Sequence, residues 1–339
     1  MEDKENSAVA VRAVTLLDGG FSSQLSYHVN TDAEYANHPL WCSRYLVTDP
    51  EAVIKTHRDY IKAGADIITT NTYQASIEGF NKHLQLSSHQ SYHLIKKAVQ
   101  LAKQAIIQEN ANRIVEKKVL VAGSIGSYGA CLHDGSEYHG KYAKHISNES
   151  LKNWHRPRMS ALVDSGVDFL AIETIPALSE AEAILELLRE FPQQKAWISF
   201  TCENGSTTVA QDRIGNAANK LWSMGKRQLV AIGVNCLKPS FVTPLIRDIR
   251  QANLPEESPI PTIAYPNSGE NYNKTDKKWV TLPGSATIHS YAADWLNSGL
   301  AIIGGCCRTT AKDIQLLKPQ VRAFNESAAV TAASMATAH

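Results

Sequence analysis

Three thiols carry the chemistry that this sequence offers. Cys306 and Cys307 are adjacent, beyond the apolar run Leu300 to Ile303 and the pair Gly304-Gly305, and Cys236 stands far upstream, directly after Ile232-Gly233-Val234-Asn235. Two neighbouring sulfurs and one distant sulfur, each at the exit of a buried strand, form a donor set for a soft metal such as Zn2+, and three protein ligands leave a fourth position open. Three thiolates on a divalent cation make a net-negative centre. Such a centre is poor at producing hydroxide, but it suits the capture of a fourth sulfur that stays ionised and nucleophilic. The reaction implied is alkyl transfer to a thiol, an in-line displacement at an activated methyl group. The competing readings are core packing for Cys236 and a redox couple for Cys306 and Cys307, although adjacent cysteines seldom bridge because the ring is strained. In a regular strand only one of the two would face the mouth; Gly304-Gly305 is expected to let the backbone leave strand geometry so that both sulfurs turn inward.

Cys42, Cys131 and Cys202 stand apart from one another and read as packing residues, with Cys202, after Trp197-Ile198-Ser199-Phe200, the nearest of the three to the strand-end face. Six cysteines in 339 residues do not make a disulfide scaffold. The chain is 43% hydrophobic and 20% charged, with a formal net charge of +1, so no bulk charge favours nucleic acid or an anionic membrane. Met1-Glu2-Asp3-Lys4-Glu5-Asn6-Ser7 is acidic and polar, unlike a secretory leader, and no apolar run has the length of a membrane span. A cytoplasmic location is the expectation.

Eight short runs rich in Val, Ile and Leu must position the thiols: Val14 to Leu17, Asp66 to Thr70, Val119 to Ala122, Asp168 to Ile172, Ala196 to Phe200, Leu229 to Val234, Thr262 to Tyr265 and Leu300 to Ile303. They are near-continuous rather than alternating, as parallel strands buried on both faces are. Helical segments lie between them. Thr48-Asp49-Pro50-Glu51, Ser179-Glu180-Ala181-Glu182 and Thr310-Ala311-Lys312-Asp313 each read as a helix start. Ala63-Gly64-Ala65-Asp66, Ser165-Gly166-Val167-Asp168 and Ser298-Gly299-Leu300-Ala301 place glycine where a helix ends and a strand follows. The alternation fits an α/β fold, a closed (β/α)8 TIM barrel, better than an open doubly wound sheet with an added lobe. Asp18-Gly19-Gly20-Phe21 is not a dinucleotide loop and no Walker sequence occurs. The expected organisation is a flexible N-terminus over 1–12, one barrel domain over 13–324 and a flexible tail over 325–339.

Barrel enzymes place their chemistry at the C-terminal strand ends. Those ends carry Asp18-Gly19-Gly20, Thr70-Asn71-Thr72-Tyr73-Gln74, Gly123-Ser124-Ile125-Gly126, Glu173-Thr174, Thr201-Cys202, Asn235-Cys236, Pro266-Asn267-Ser268-Gly269 and Gly304-Gly305-Cys306-Cys307. The connections 27–46, 127–147 and 267–283 are long and polar or aromatic, which suits substrate walls or lids, and no helical pattern is evident in the last.

Gly233-Val234-Asn235-Cys236 followed by Gly304-Gly305-Cys306-Cys307-Arg308-Thr309-Thr310 resembles the homocysteine S-methyltransferase family. The likeness extends in order through Leu17-Asp18-Gly19-Gly20, Asn71-Thr72-Tyr73-Gln74-Ala75-Ser76, Ala122-Gly123-Ser124-Ile125-Gly126, Gly135-Ser136-Glu137-Tyr138, Glu173-Thr174-Ile175-Pro176 and Tyr265-Pro266-Asn267-Ser268-Gly269-Glu270. The resemblance implies a barrel holding one zinc on Cys236, Cys306 and Cys307, with the homocysteine sulfur as fourth ligand on its way to methionine. It further implies that Glu173 and Asp18 surround the amino group of homocysteine, where two carboxylates would orient the amino acid by ion pairing. A turn-forming role for Asp18 before Gly19-Gly20 competes with direct contact. Asn235 is expected to support the site through hydrogen bonds, and the backbone of Gly19, Gly20 and Ser268-Gly269 to receive the substrate carboxylate.

The closer likeness is to the compact branch of that family, which uses S-methylmethionine and in some members S-adenosylmethionine. Betaine-using relatives are expected to carry a longer C-terminal extension than the short segment Ala323 to His339 seen here. Aromatic residues Tyr73, Trp41, Tyr272 and Trp279 are candidates to line a cationic donor. Cys202-Glu203-Asn204-Gly205 through Gln211-Asp212-Arg213 follows the family loosely, Val209-Ala210-Gln211 standing where small residues are usual. Alternatives are a betaine-dependent enzyme, a barrel that uses its metal for hydrolysis or redox, and a non-catalytic zinc- or thiol-binding barrel. The acceptor could also be selenohomocysteine or another small thiol. The expected partners are small-molecule substrates, with the chain a monomer or weak oligomer.

Overall fold

The structure, a computed structural model, describes residues 13–30, 38–111, 113–252, 259–273, 278–280 and 286–336, with the backbone alone at 271–273, 278, 279, 335 and 336. The expected N-terminal segment 1–12 lies outside these residues.

All eight apolar runs form strands, and the sheet they make is parallel throughout. They are β1 (Thr15–Leu16), β2 (Ile67–Thr69), β3 (Leu120–Gly126), β4 (Phe169–Ile175), β5 (Lys195–Phe200), β6 (Leu229–Asn235), β7 (Thr262–Tyr265) and β10 (Leu300–Ile303). The sheet order is β1-β10-β7-β6-β5-β4-β3-β2. A parallel bridge from Leu17 to Ile67 joins its two ends, and the Asp18 N–H donates to the Ile67 carbonyl at 3.1 Å. The ring is a (β/α)8 TIM barrel.

The lumen is packed by Leu17, Ile67, Ala122, Ala171, Trp197, Ala231, Ile263, Tyr265 and Ile302. Three alanines on β3, β4 and β6 leave the volume that Trp197 and Tyr265 fill, large beside small as dense packing requires. The alternate strand residues, among them Ile68, Val121, Leu170, Ile198 and Ile232, join the helices in a larger outer core.

Local chemistry sets the helix boundaries. Asp49 caps Pro50–Ala63 by accepting the Ala52 N–H, while Asp313 Oδ2 takes the N–H and hydroxyl of Thr310 at 2.8 and 3.0 Å before Ala311–Ala336. The helix read from the Ser179 cap starts two residues earlier than that pattern predicts, as Leu178–Leu188, without a cap from its own leading residue. Asp212 Oδ2 accepts the Leu178 N–H at 2.8 Å instead. Gly64, Gly166 and Gly299 all have left-handed backbone, with φ of 118°, 66° and 93°, as the helix-Gly-strand pattern predicts. The last helix runs past the expected boundary at 324 to Ala336. The connection after β7 contains an antiparallel hairpin, β8 (Asn271–Asn273) and β9 (Lys278–Val280), which the sequence pattern did not reveal. Among the described residues no helix is long and apolar enough to cross a membrane.

Candidate metal centre

Cys236 follows the last residue of β6, and its backbone is left-handed (φ 55°). Its N–H still donates to the Tyr265 carbonyl at 3.2 Å, so the turn that throws its sulfur into the mouth is anchored to β7. Beyond β10 the backbone goes on bonding to both neighbours in turn. Gly304 N–H donates to Ala264 O at 3.1 Å, Gly305 N–H to Asp18 O at 3.0 Å and Cys306 N–H to Pro266 O at 2.8 Å. A turn then closes as Thr309 N–H and its hydroxyl donate to Cys306 O at 3.1 and 2.7 Å. The left-handed residue of this turn is Arg308 (φ 65°), not either of the glycines. Glycine is needed at 304 and 305 for space, since a Cβ there would lie 2.7 Å from Asp18 O and 2.3 Å from Thr309 Oγ1 respectively.

The result is the convergence that the spacing predicted. Cys236 Sγ lies 3.4 Å from Cys307 Sγ, and all three sulfurs lie within 4.8 Å of one another. The thiol of Cys307 is pushed well below its ordinary value because Cys236 and Cys306 donate to it, and the Cys306 thiol is pushed up by its contacts with Cys236 and Cys307. Three sulfurs this close do not all ionise unless a cation sits among them.

The mouth beside them is lined by Asp18, Gly19, Gly20, Trp41, Tyr73 and Glu173, among others. Asp18 and Glu173 are 2% and 9% exposed. Asp18 Oδ2 accepts the Thr69 N–H at 2.7 Å and Asp18 is held by the Thr69 hydroxyl. The residue therefore ties the exit of β1 to Thr69 at the end of β2 and faces the cavity. Burial first, and then the nearby Glu173, push its carboxyl well up despite those bonds. Burial likewise pushes Glu173 to about 7, against hydrogen bonds from Ser124 and Tyr265 and with a smaller contribution from Cys236. Two buried carboxyls that share a mouth present a strong field to a cation.

Asn235 is fully buried and does not line the cavity. Its Oδ1 accepts the Thr174 N–H at 2.8 Å and the Ser199 hydroxyl at 2.9 Å, and its Nδ2 donates to Thr174 Oγ1 at 2.8 Å. Ser268 is not brought into the thiol cavity. It lines a neighbouring polar cavity with Glu270 and Arg308, and its N–H donates to the Cys307 carbonyl at 3.0 Å, so it braces the cysteine turn from behind. Cys42, not Cys202, is the remaining cysteine that lines the mouth. Cys202 lies past β5 in a small bridge to Thr208. The loosely matching segment 202–213 contributes nothing to the cavity lining. Trp41 and Tyr73 line it; the side chains of Tyr272 and Trp279 lie outside the described residues.

Sequence reasoning assigned no role to Glu137 or Tyr138, although both lie within a quoted motif. The Tyr138 hydroxyl is 3.4 Å from Cys236 Sγ, and Glu137 is 6% exposed and lines the cavity. Their connection is held by Glu180, whose carboxylate is fully buried. It accepts the Tyr128 N–H at 2.6 Å, the Tyr142 hydroxyl and His155 Nε2 at 2.9 Å. An acid in the first turn of a helix ordinarily signals a solvated face, which is why the pattern concealed this anchor.

The sequence profile of homocysteine S-methyltransferases matches residues 15–321. The chain is 42% identical to a betaine-homocysteine S-methyltransferase of Drosophila melanogaster, across 91% of this chain and 94% of that protein. It is 38% identical to homocysteine S-methyltransferase 2 of Arabidopsis thaliana, across 89% and 91% of the two chains. The crystal structure of the homocysteine methyltransferase MmuM from Escherichia coli in its metallated form superposes with a TM-score of 0.78 at 35% identity, covering 91% of this chain and 96% of that one. With the barrel, the converging thiols and the carboxyl-lined mouth, these likenesses place the chain in the homocysteine S-methyltransferase family.

Proposed function

We propose that this enzyme transfers a methyl group from a sulfonium donor, S-methylmethionine or S-adenosylmethionine, to the thiol of L-homocysteine with one zinc per chain. The observation that carries the reading is the meeting of Cys236, Cys306 and Cys307 beside Asp18 and Glu173. Tetrahedral zinc-thiolate geometry, with Zn–S near about 2.3 Å, sets sulfurs about 3.8 Å apart. The separations here, 3.4 Å for one pair and all within 4.8 Å, suit that donor set. Zinc on these thiolates would supply a fourth coordination place that keeps the homocysteine sulfur ionised.

The chain's own residues bind and orient. Glu173 and Asp18 face the homocysteine ammonium, and the Gly19-Gly20 backbone borders its carboxylate. The thiol loses its proton to solvent, and its sulfur attacks the methyl carbon in line with the departing sulfur. The new C–S bond forms as the old one breaks. The electron pair of the broken bond stays with the donor, which leaves as a neutral thioether. Trp41 and Tyr73 wall the cationic donor and exclude water. Thiols must stay reduced for this chemistry, which suits a cytoplasmic setting.

A second reading is betaine as donor. The Drosophila relative named for betaine is matched across 94% of its length, so a long C-terminal extension does not mark that donor, and chain length does not separate the two readings. One experiment separates them. Homocysteine is offered in parallel with S-methylmethionine, S-adenosylmethionine and betaine, and methionine is measured. Turnover with a sulfonium donor above that with betaine is expected; turnover with betaine alone overturns the sulfonium reading.

A further inference from the structure

We propose that the Glu137 carboxylate is the counter-charge for the positive centre of the methyl donor, a specificity residue distinct from the pair that faces homocysteine. The inference rests on the sulfonium reading above. Glu137 sits in the short turn Ser136–Tyr138, launched by the left-handed Gly135 (φ 77°). It is 6% exposed, and its Oε2 has no hydrogen-bond partner among the described residues. A buried carboxylate oxygen without a partner is costly unless a ligand completes it. The Tyr73 hydroxyl is likewise buried and unpartnered among the described residues, and both side chains line the cavity of the three thiols. Tyr138, the next residue after Glu137, reaches Cys236 Sγ at 3.4 Å, and the Glu137 carboxyl lies within the field of Cys236, so this carboxylate borders the thiol cluster.

The mouth thus has two anionic poles. Glu173 helps to push Asp18 up, whereas burial, Cys236 and Asp134 push Glu137 up to about 7 against a bond from its own backbone N–H. Tyr73 lies between, within the field of both Glu137 and Glu173. Homocysteine brings one ammonium, which the first pole accommodates. The second pole, bordered by Tyr73, fits another cation, and the donor is the substrate that carries one. A sulfonium amino acid has net positive charge and gains fully from such a pole. Betaine holds its cation beside its own carboxylate and gains less. Because methyl transfer discharges the sulfonium, Glu137 holds the donor most strongly before the reaction, so its effect falls on donor KM rather than on kcat.

The test is Glu137→Gln in the zinc-loaded enzyme, assayed with S-methylmethionine and homocysteine. The expected result is a rise of about tenfold in KM for S-methylmethionine. KM for homocysteine, kcat and zinc content should all stay within about twofold, since the other pole and the thiols are untouched. Glu137→Asp should recover part of the loss. Unchanged donor KM, an equal rise in both KM values, or loss of zinc overturns the assignment. A wild-type enzyme that methylates homocysteine from betaine but not from S-methylmethionine overturns the sulfonium reading itself, and this assignment with it; that result is visible before any residue is changed.

Discussion

Asn235 and Thr174 grip each other through two hydrogen bonds of 2.8 Å, one to the backbone N–H of Thr174 and one to its hydroxyl. Thr174 has left-handed backbone (φ 56°), a costly state for a β-branched residue. The amide of Asn235 therefore holds a strained residue whose predecessor, Glu173, faces the cavity. Asn235→Ala leaves the buried Thr174 N–H unpaired, with an expected loss of about 1–3 kcal/mol in chemical denaturation. Homocysteine KM should rise several-fold with it. A loss of stability with homocysteine KM unmoved would limit the clamp to the fold.

Exchange of any one thiol tests the metal reading. Elemental analysis of the purified wild type should return about one zinc per chain. Cys236→Ser, Cys306→Ser and Cys307→Ser should each fall well below that and lose homocysteine methylation. Full zinc and full turnover in Cys307→Ala would remove that sulfur from the site.

Gly20 touches the centre without contributing a side chain. A Cβ there would lie 2.3 Å from the Cys306 carbonyl oxygen, a backbone atom fixed in the turn that Thr309 closes. Gly20→Ala should cost about 1–3 kcal/mol of stability by overpacking. Competition with a chelator should also show weaker zinc retention, because the displaced carbonyl carries the cysteine pair with it. Wild-type zinc retention in this variant would show that the turn tolerates the shift.

Two histidines set an acid limit on stability. Burial lowers His57 to about 3, and burial with the Arg158 charge lowers His155 to about 4, against an ordinary value of 6.5. Both are fully buried, and His57 has no hydrogen-bond partner among the described residues. The folded chain keeps them neutral while the unfolded chain protonates below about pH 6.5, so their contribution is complete above that pH and is lost as pH falls toward 4. Each is worth up to about 3 kcal/mol across that window. His57→Phe should flatten the slope of unfolding free energy between pH 6.5 and 4 by up to one proton; an unchanged slope would show that His57 does not set it.

The strands were legible because each is short, apolar and buried on both faces, from Asp66 to Thr70 through Leu300 to Ile303. The thiol trio was legible because strand ends of a barrel share one mouth. What the pattern left hidden depends on long-range partners. Ser268 follows β7 as a mouth residue should, yet its hydrogen bond to the Cys307 carbonyl turns it to the far side of the cysteine turn. Glu180 reads as a surface acid, yet Tyr128, Tyr142 and His155 draw it inside. Glu137 stands in a loop of Gly, His and Tyr where no periodicity marks which side chain faces in. Gly304 and Gly305 were read as flexible, and the structure needs their smallness instead.

In the sheet order, β10 lies between β7 and β1, and two of the three sulfurs ride on its exit. The chain can build every other stave and still own only one sulfur of the trio. Sealing of the cylinder and assembly of the metal trap are therefore one event, and an ion offered to a nascent chain before that moment finds nowhere to settle.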